Sequence, residues 1–375
     1  MRNLYIATTA LLLNILTVQA QTDIDATRKA LLQEVVVTAY GQERVLKDAP
    51  AAIAKISMRE MGRYGNAVLP AMNAVPGVRM EERSPSSYRL SIRGSSLRSP
   101  FGVRNVKVYY NDIPVTDPTG FTYLNQFGYY NLQELQILKG PASSLYGAGN
   151  GGVLLANSMP GDWNEGASVG YMAGSYGQQQ IMGEVRLGDS NARNTIRYQH
   201  SGGDGYRAQS ASRKDVVSWD AAVKTNERND LDAHFLYTDL YYQTPGGLTL
   251  GEYKNNPRSA RPTVGTTPGA IAQQAAIYQK NMLAGFTNTH RFNEHLQNKT
   301  TLYGAFTQIN NPNIRNYSRS NEPHFGGRTS FDYRHEIGAS VLNLQIGAEA
   351  QKGYILTRTY NNNKGNADSL QHAQR

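Results

Sequence analysis

The second half of the chain alternates apolar and polar residues with a period of two, as β-strands with two unlike faces do. The alternation is clearest in residues 181–187, 231–238 and 342–349. It recurs in the segments 168–174, 194–200, 215–224, 277–290, 299–309 and, more weakly, 328–335. We therefore predict about nine antiparallel strands, each near the roughly 9–11 residues that a tilted strand needs to cross a bilayer.

This alternation alone fits a soluble β-sandwich as well as a membrane β-barrel, because both present one apolar face. The connections favour the barrel, since short turns alternate with longer segments, of which the Pro- and Gly-rich stretch 244–275 is the longest. The mean hydropathy of −0.52 is that of a soluble protein. Barrel strands are only half apolar, however, and the content of 36 Gly and 24 Tyr suits them.

The first half of the chain has a mixed pattern. A helix is predicted within residues 66–74, where Pro76 and Gly77 stop it, and extended segments are predicted at 89–92, 106–110 and 135–138. Asn111 and Asp112 form a predicted turn after the second of these segments. We predict a small α+β domain over residues 44–160 and a sheet over residues 161–375.

The N-terminus has the pattern of an export signal. Arg2 precedes a mostly apolar run at residues 4–16, which is too short for the roughly 20 residues of a membrane-spanning helix. Val18 and Ala20 occupy positions −3 and −1 of a cleavage site before Gln21. We predict a signal peptide at residues 1–20, although a buried helix has a similar pattern. Export argues against nucleic acid as the explanation of the net charge of +9.

A short apolar segment stands alone in the predicted N-terminal stretch 21–43. It consists of Glu34, Val35, Val36, Val37, Thr38, Ala39 and Tyr40. Four consecutive β-branched residues at 35–38 favour extended backbone. The segment is either the first strand of the following domain or an edge that pairs with a partner strand, as in β-augmentation.

Motifs spread in order over residues 34–158 resemble those of TonB-dependent outer-membrane receptors. Segment 34–40 resembles the TonB box. Arg93 and Gly94 resemble the plug's Ile-Arg-Gly element. Residues 108–115 resemble its strand-and-turn element, with Asn111 and Asp112 in place of the usual Asp-Gly and with Pro114 after them. The strongest match carries Glu134, Lys139, Gly140, Pro141, Tyr146, Gly147, Gly151 and Gly152.

The resemblance implies an α+β plug domain inside a transmembrane antiparallel β-barrel of about 22 strands. It implies active uptake of a scarce extracellular ligand, with segment 34–40 binding TonB and the ExbB–ExbD motor supplying the energy. It implies an outer-membrane location among lipid, no resident cofactor and no enzymatic activity. Nine strands cannot close such a barrel, and the chain ends in polar residues, so we expect an N-terminal portion of the receptor.

Six arginines between residues 79 and 104 indicate the ligand class. Only Glu81 and Glu82 oppose them, and the guanidinium fork suits carboxylates. We predict an anionic ferric chelate, such as ferric citrate or a carboxylate siderophore, although plug arginines also pair with acidic residues inside a barrel. The predicted ligand-binding residues are Arg98, Ser99, Phe101 and Arg104. Cobalamin and glycan remain alternative ligands. A secreted β-rich binding or adhesion protein and a passive porin are the alternatives of another class.

One glycine motif suggests a nucleotide site and is better explained otherwise. Gly147, Gly149 and Gly152 have the spacing G-x-G-x-x-G, but a strand rather than a helix is predicted after them. The sequence contains no H-E-x-x-H motif. Close approach of the plug backbone is the better explanation of these glycines.

Overall fold

The computed structural model describes residues 36–37, 44–49, 51–58, 68–95, 102–147, 149–161, 163–338 and 340–374. The chain divides into two units, residues 1–36 and 37–375. Val36 is the one described residue of the first unit, so the predicted signal peptide lies outside the described residues. Within the described residues, no helix is both long enough and apolar enough to span a membrane.

A small α+β domain occupies the first part of the second unit, after β1 (Val36–Val37). Its first strands are β2 (Arg44–Val45), β3 (Ile53–Ser57), β4 (Val78–Ser84), β5 (Ser87–Ile92) and β6 (Val103–Arg104). Its later strands are β7 (Val106–Tyr110), β8 (Ile113–Pro114), β9 (Phe121–Thr122), β10 (Glu134–Lys139) and β11 (Gly152–Asn157). Its helices are α1 (Val68–Asn73) and α2 (Ser143–Tyr146), with 3-10 turns at Leu46–Asp48, Leu124–Gln126 and Tyr129–Asn131.

The central sheet of this domain has the strand order β3-β10-β11-β7-β8. Strand β11 runs parallel to β7 and antiparallel to β10. Every residue of β7 is buried, because its two faces serve two apolar clusters. Val108 and Tyr110 belong to the larger cluster and Tyr109 to the smaller. The predicted helix and the three predicted extended segments are confirmed as α1, β5, β7 and β10.

The hairpin between β7 and β8 turns at Asn111 and Asp112. Their φ angles are +46° and +68°, and Tyr110 pairs with Ile113 across the turn. A two-residue hairpin turn of this type needs positive φ at both positions. Asn and Asp tolerate this left-handed backbone better than other residues with a side chain, so the predicted turn is confirmed with a physical reason.

An eleven-stranded antiparallel sheet follows. Its first strands are β12 (Gly166–Ala173), β13 (Gln179–Gly188), β14 (Ala192–Gly203), β15 (Ser212–Asn226), β16 (Asn229–Gln243) and β17 (Ala276–Arg291). Its later strands are β18 (Leu296–Pro312), β19 (Asn316–Ile337), β20 (Ser340–Gly353), β21 (Leu356–Asn363) and β22 (Asn366–Gln374). Each strand pairs with the next, except that β20 and β21 pair one after the other with β19. The prediction of about nine strands was too low, because β21 and β22 lie in the polar segment near the end of the sequence.

The two faces of this sheet are reversed relative to those of a soluble sandwich. The outward face exposes large apolar side chains, including Phe325 at 54% and Ile346 at 69%. The face toward the small domain buries polar groups, including Arg197 and Asp220, both at 0%. A soluble sandwich would bury its apolar face instead, so that alternative does not fit.

The connections differ between the two ends of the large sheet. Residues 189–191, 227–228 and 292–295 connect strands at one end, which we call the short-turn end. Residues 174–178, 204–211 and 244–275 connect strands at the other, which we call the long-loop end. The longest connection contains α3 (Leu250–Asn255), which Thr249 and Glu252 cap reciprocally.

Candidate functional site

The small domain meets the large sheet through a chain of buried charges. The guanidinium of Arg197, which has no exposed surface, binds Glu184 and lies 3.3 Å from Asp220 Oδ2. His234 Nδ1 lies 2.8 Å from the other oxygen of Asp220. Buried charges are stable only when they are paired and hydrogen-bonded. The Asp220 carboxylate, held by Arg197 and His234, therefore faces the small domain that packs against the sheet.

The β7–β8 hairpin binds that carboxylate. The Tyr110 hydroxyl and the Asn111 amide each donate to Asp220 Oδ1 at 3.3 Å. Asn111 also fixes the end of β11, because its amide donates to Ser158 Oγ at 2.6 Å and its oxygen accepts from the Ser158 N–H at 3.0 Å. Burial, and then the charge of Asp220, raise the pKa of Tyr110. The phenol therefore stays protonated and remains a donor.

A second contact joins β7 to β20. Glu349 accepts from Lys107 Nζ at 2.7 Å and from the Tyr109 hydroxyl at 2.7 Å. Beside it, the Arg328 guanidinium lies 5.1 Å from the ring centres of both Tyr109 and Tyr146. Cations over aromatic faces are attracted by the ring quadrupole. One glutamate and one arginine of the sheet thus hold Lys107 and Tyr109, which lie two positions apart in β7.

The hairpin turn supplies a third contact. Lys299 Nζ lies 2.8 Å from Asp112 Oδ2. Burial alone would raise the pKa of Asp112, but the Lys299 ammonium, together with Arg328 and His234, outweighs it and holds the pKa below its ordinary value. Two backbone carbonyls add further contacts, since Lys214 Nζ donates to Phe127 O at 3.0 Å and Thr238 Oγ1 to Gln126 O at 2.6 Å. Polar contacts thus hold the domain along the sheet.

A cavity of about 390 Å³ lies on the long-loop side of the small domain. Asp117, Phe121 and Tyr123 line it from the domain, and Glu322 and His324 line it from the sheet. Glu322 accepts from the Tyr123 hydroxyl at 3.0 Å. The Nε2 atom of His324 is buried without a hydrogen-bond partner among the described residues. The described lining contains no Lys or Arg.

A second and more polar cavity of about 850 Å³ lies on the short-turn side. The hairpin turn at Asn111 and Asp112 borders it, and Arg193, Lys299 and Arg328 are among its cationic residues. The segment from β7 to residue 123 therefore contributes to the lining of both cavities. Among the described residues, no three His, Asp or Glu side chains are grouped as metal ligands. The absence of a resident cofactor stays a prediction.

The predicted plug glycines lie where backbones pass close together. Gly140 N–H donates to Gly151 O at 3.1 Å, and Gly151 N–H donates to Asn105 O at 2.8 Å. A Cβ on Gly152 would lie 2.1 Å from Leu138 O, and its φ is +143°. Strand β11 follows, as predicted, so the G-x-G-x-x-G spacing opens no helix.

The other predicted plug residues lie in the small domain, and several of them make contacts within it. Arg93 has a left-handed φ of +50° and donates its N–H to Gly77 O at 2.8 Å. Glu134 pairs with Lys55 at 2.7 Å, and Lys139 Nζ donates to Pro76 O at 3.2 Å. The remaining ones occupy turns, strand β8 and helix α2: Gly94, Gly147, Pro114, Pro141 and Tyr146.

The predicted ligand-binding residues are described in part. Arg98, Ser99 and Phe101 lie outside the described residues. Arg104 is exposed, donates to Thr119 O at 3.4 Å and lies 5.3 Å from the centre of the Phe121 ring. Arg104 thus contacts the segment that borders the long-loop cavity, whereas it is not itself in the described lining.

The predicted TonB box is described at two positions, Val36 and Val37. Val37 is fully buried in the smaller apolar cluster, with Leu138, Tyr146 and Val153. The other members, Glu34, Val35, Thr38, Ala39 and Tyr40, lie outside the described residues. Its role in binding TonB stays a prediction.

Sequence reasoning did not find the residues that join the small domain to the sheet, above all Arg197, Asp220, Lys299 and Glu349. Arg197, Asp220 and Glu349 alternate with apolar or aromatic residues, so the period of two predicts the face on which they lie but not their partners. A charge at an inward position of a predicted barrel strand is the signal that could have found them.

Comparison with known proteins agrees with this geometry. Residues 45–154 match the model of the TonB-dependent receptor plug domain. The unliganded ferric citrate transporter FecA superimposes with a TM-score of 0.71 at 17% identity, covering 86% of this chain and 50% of that chain. FpvA of P. aeruginosa with a bound pyoverdine–iron complex gives 0.71 at 13%, covering 91% and 49%. The ferric-catecholate import receptor Fiu of E. coli K12 gives 0.64 at 14%, covering 88% and 54%. The chain spans about half the length of these structures.

Proposed function

We propose that this chain, which has the plug and part of the barrel of a TonB-dependent receptor, acts in the outer membrane in the active uptake of a small ferric chelate. The long-loop end would face the outside and the short-turn end the periplasm. TonB-dependent transporters are not enzymes, and the proposed work is binding and release of cargo. TonB would supply the energy, with the ExbB–ExbD motor behind it.

The observation that carries this proposal is the position of the plug between two cavities. The β7–β8 hairpin and the segment after it border both cavities and are joined to the wall by polar contacts. Hydrogen-bonded contacts of this kind contribute only about 1 kcal/mol each, or about 1.5–3 kcal/mol when charged. A closed plug that must be moved and then restored is better served by several such contacts than by one continuous apolar interface.

Segment 34–40 is the proposed attachment point for TonB. Val37 shares a buried apolar cluster with Leu138 of β10 and Val153 of β11, and β11 is the neighbour of β7 in the sheet. Force applied to this segment would therefore act next to the strand that binds Glu349. We infer that ligand binding outside releases the segment inside, where its backbone can pair with a TonB strand.

The proposed cargo class rests on the structural neighbours, which are a ferric citrate transporter, a receptor with a bound pyoverdine–iron complex and a ferric-catecholate import receptor. An anionic chelate requires cations at the cavity. The described lining offers the carboxylates of Asp117 and Glu322 and no Lys or Arg. The anionic class therefore depends on the predicted ligand-binding residues Arg98 and Arg104, which are not in this described lining.

Radiolabelled iron uptake in cells that carry the gene at its own locus tests the proposal. Ferric citrate and a neutral ferric hydroxamate are supplied separately, with and without TonB. We expect saturable uptake of one chelate that vanishes without TonB or with Val36→Pro, while surface binding persists, because proline removes a backbone donor. Uptake independent of TonB would refute the mechanism. Ferric citrate uptake that survives Arg98→Gln unchanged would refute the role of that arginine.

A further inference from the structure

Two arginines face each other on the outward side of the large sheet. Arg319 on β19 and Arg358 on β21 are direct cross-strand partners, and both are exposed. His324 on β19 and Thr357 on β21 line the inner cavity. Since successive side chains alternate between faces, Arg319 and Arg358 project from the opposite face.

Like charges placed directly opposite each other destabilise a strand pair. Among the described residues, neither arginine has a carboxylate within 4.0 Å to compensate. Instead, the Arg319 guanidinium lies over Tyr317 and Tyr360, at 5.3 Å and 5.4 Å from the two ring centres. Stacking on tyrosine rings orients a guanidinium but leaves its charge unneutralised.

The same row of the sheet provides a contrast. Cross-strand pairing connects Arg213, Tyr241, Tyr278, Asn310, Arg319 and Arg358 in sequence. At the other end of that row, Arg213 lies 3.2 Å from Asp239 and 3.8 Å from Asp215. The sheet thus supplies carboxylates to one outward arginine of the row and none to the pair at Arg319 and Arg358.

The pair lies at the border of the apolar outward face. Phe325, six residues after Arg319 in β19, is on the outward face and 54% exposed. Phe331, six residues further on, is on the same face and 41% exposed. In the other direction, β19 begins at Asn316, three residues before Arg319, directly after the turn 313–315 at the long-loop end. Along a strand, six residues span about 20 Å. If the apolar band faces the hydrocarbon, the arginines lie at the level of the outer-leaflet headgroups.

We propose that Arg319 and Arg358 form a clamp for a phosphate group of the glycolipid in the outer leaflet. The proposal rests on the outer-membrane placement proposed above. Two guanidinium forks can each present parallel N–H donors to phosphate oxygens. A bound dianion would convert the repulsion within the pair into attraction to a shared partner. Tyr360, which flanks the pair and is partly exposed, suits the boundary between acyl chains and headgroups.

Titration of the purified full chain in lipid-free amphipol with diphosphoryl lipid A tests the clamp. Native mass spectrometry would count the bound molecules. The comparison ligands are dephosphorylated lipid A and inorganic phosphate. The double variant Arg319→Gln/Arg358→Gln is compared with Arg213→Gln on the same row. We expect the double variant to weaken binding at least about tenfold and Arg213→Gln to change it less than about twofold, since charged hydrogen bonds are lost only in the former.

Equal binding by the double variant and the unchanged protein would overturn the proposal. Equal binding of dephosphorylated lipid A would also overturn it, because acyl contacts would then suffice. Binding of inorganic phosphate as tight as that of lipid A would refute the assignment to lipid. The iron uptake assay keeps the two proposals separate. Lipid A binding that depends on both arginines, without TonB-dependent iron uptake, would support the clamp and refute the transport function. TonB-dependent iron uptake without such lipid A binding would support the transport function and refute the clamp.

Discussion

Replacing Glu349 by glutamine should loosen strand β7 from the barrel wall. Glu349 accepts from Lys107 and Tyr109, both at 2.7 Å, and the side chains of Lys107 and Glu349 are 9% and 19% exposed. Glutamine keeps one acceptor for these two donors and leaves the ammonium of Lys107 without its counter-charge. Breaking a buried ion pair costs about 3–5 kcal/mol. Since Glu349 is partly exposed, we take the lower end, about 3 kcal/mol.

Hydrogen–deuterium exchange of residues 106–110 in the purified protein measures this change. A loss of about 3 kcal/mol corresponds to roughly 150-fold faster exchange of amides that exchange through opening of β7. Glu336→Gln is the matched control, because Glu336 is an exposed glutamate on the neighbouring strand β19. The double variant Lys107→Met/Glu349→Leu should recover most of the protection, since it removes both charges together.

Unchanged exchange of β7 in Glu349→Gln would refute this reasoning. It would mean that the ion pair contributes nothing to the closed state and that the other contacts hold the strand alone. Equal acceleration by Glu349→Gln and Glu336→Gln would indicate a general effect of charge rather than loss of the contact.

Three further predictions concern the hairpin, a plug glycine and the outward face. The pKa of Asp112 lies below its ordinary value of about 3.9, so the stabilisation from its contact with Lys299 is complete above that pH and is lost as the pH falls through the lower value of the folded state. The melting temperature should therefore fall between about pH 6 and about pH 3, and Asp112→Asn should remove part of that fall. Gly152→Ala should lower the melting temperature more than Gly147→Ala, because both have positive φ but only the former places a Cβ against backbone; equal losses would contradict this. Phe325→Lys should cost about 2–4 kcal/mol of folding into vesicles if this face meets hydrocarbon, and a neutral result in denaturant titration would exclude that orientation.

The large sheet could be predicted from the sequence because its period of two is local. Within each predicted segment, the alternation of residues shows which side chains share a face. The hairpin turn could be predicted because Asn111 and Asp112 tolerate the positive φ that such a turn needs. Strands β21 and β22 were missed because they carry few apolar residues. The last pairing of β22 joins Gln374 to Thr357, and the backbone ladder needs no apolar face to form.

The contacts between plug and wall could not be predicted in the same way. Lys107 and Glu349 are 242 positions apart, and Tyr110 and Asp220 are 110 apart. Each of these residues has the pattern of an ordinary solvated charge or strand residue in its own segment. Only the register of the strands and the placement of the plug bring the partners together. The arginine run was a weaker guide, since Arg104 contacts Thr119 and Phe121 rather than the described lining of the cavity.

The turn at Asn111 and Asp112 has a consequence for which residues these two positions tolerate. Both have positive φ, a condition that few side chains meet. Both side chains are also engaged, Asn111 with Ser158 and Asp112 with Lys299. Glycine at the second position would ease the backbone but abolish the link to the wall, whereas a longer carboxylate would keep the charge but strain the backbone. Few residue pairs other than Asn-Asp therefore satisfy both the backbone and the side-chain requirements. Selection from a saturation library at these two positions should deplete nearly all other pairs.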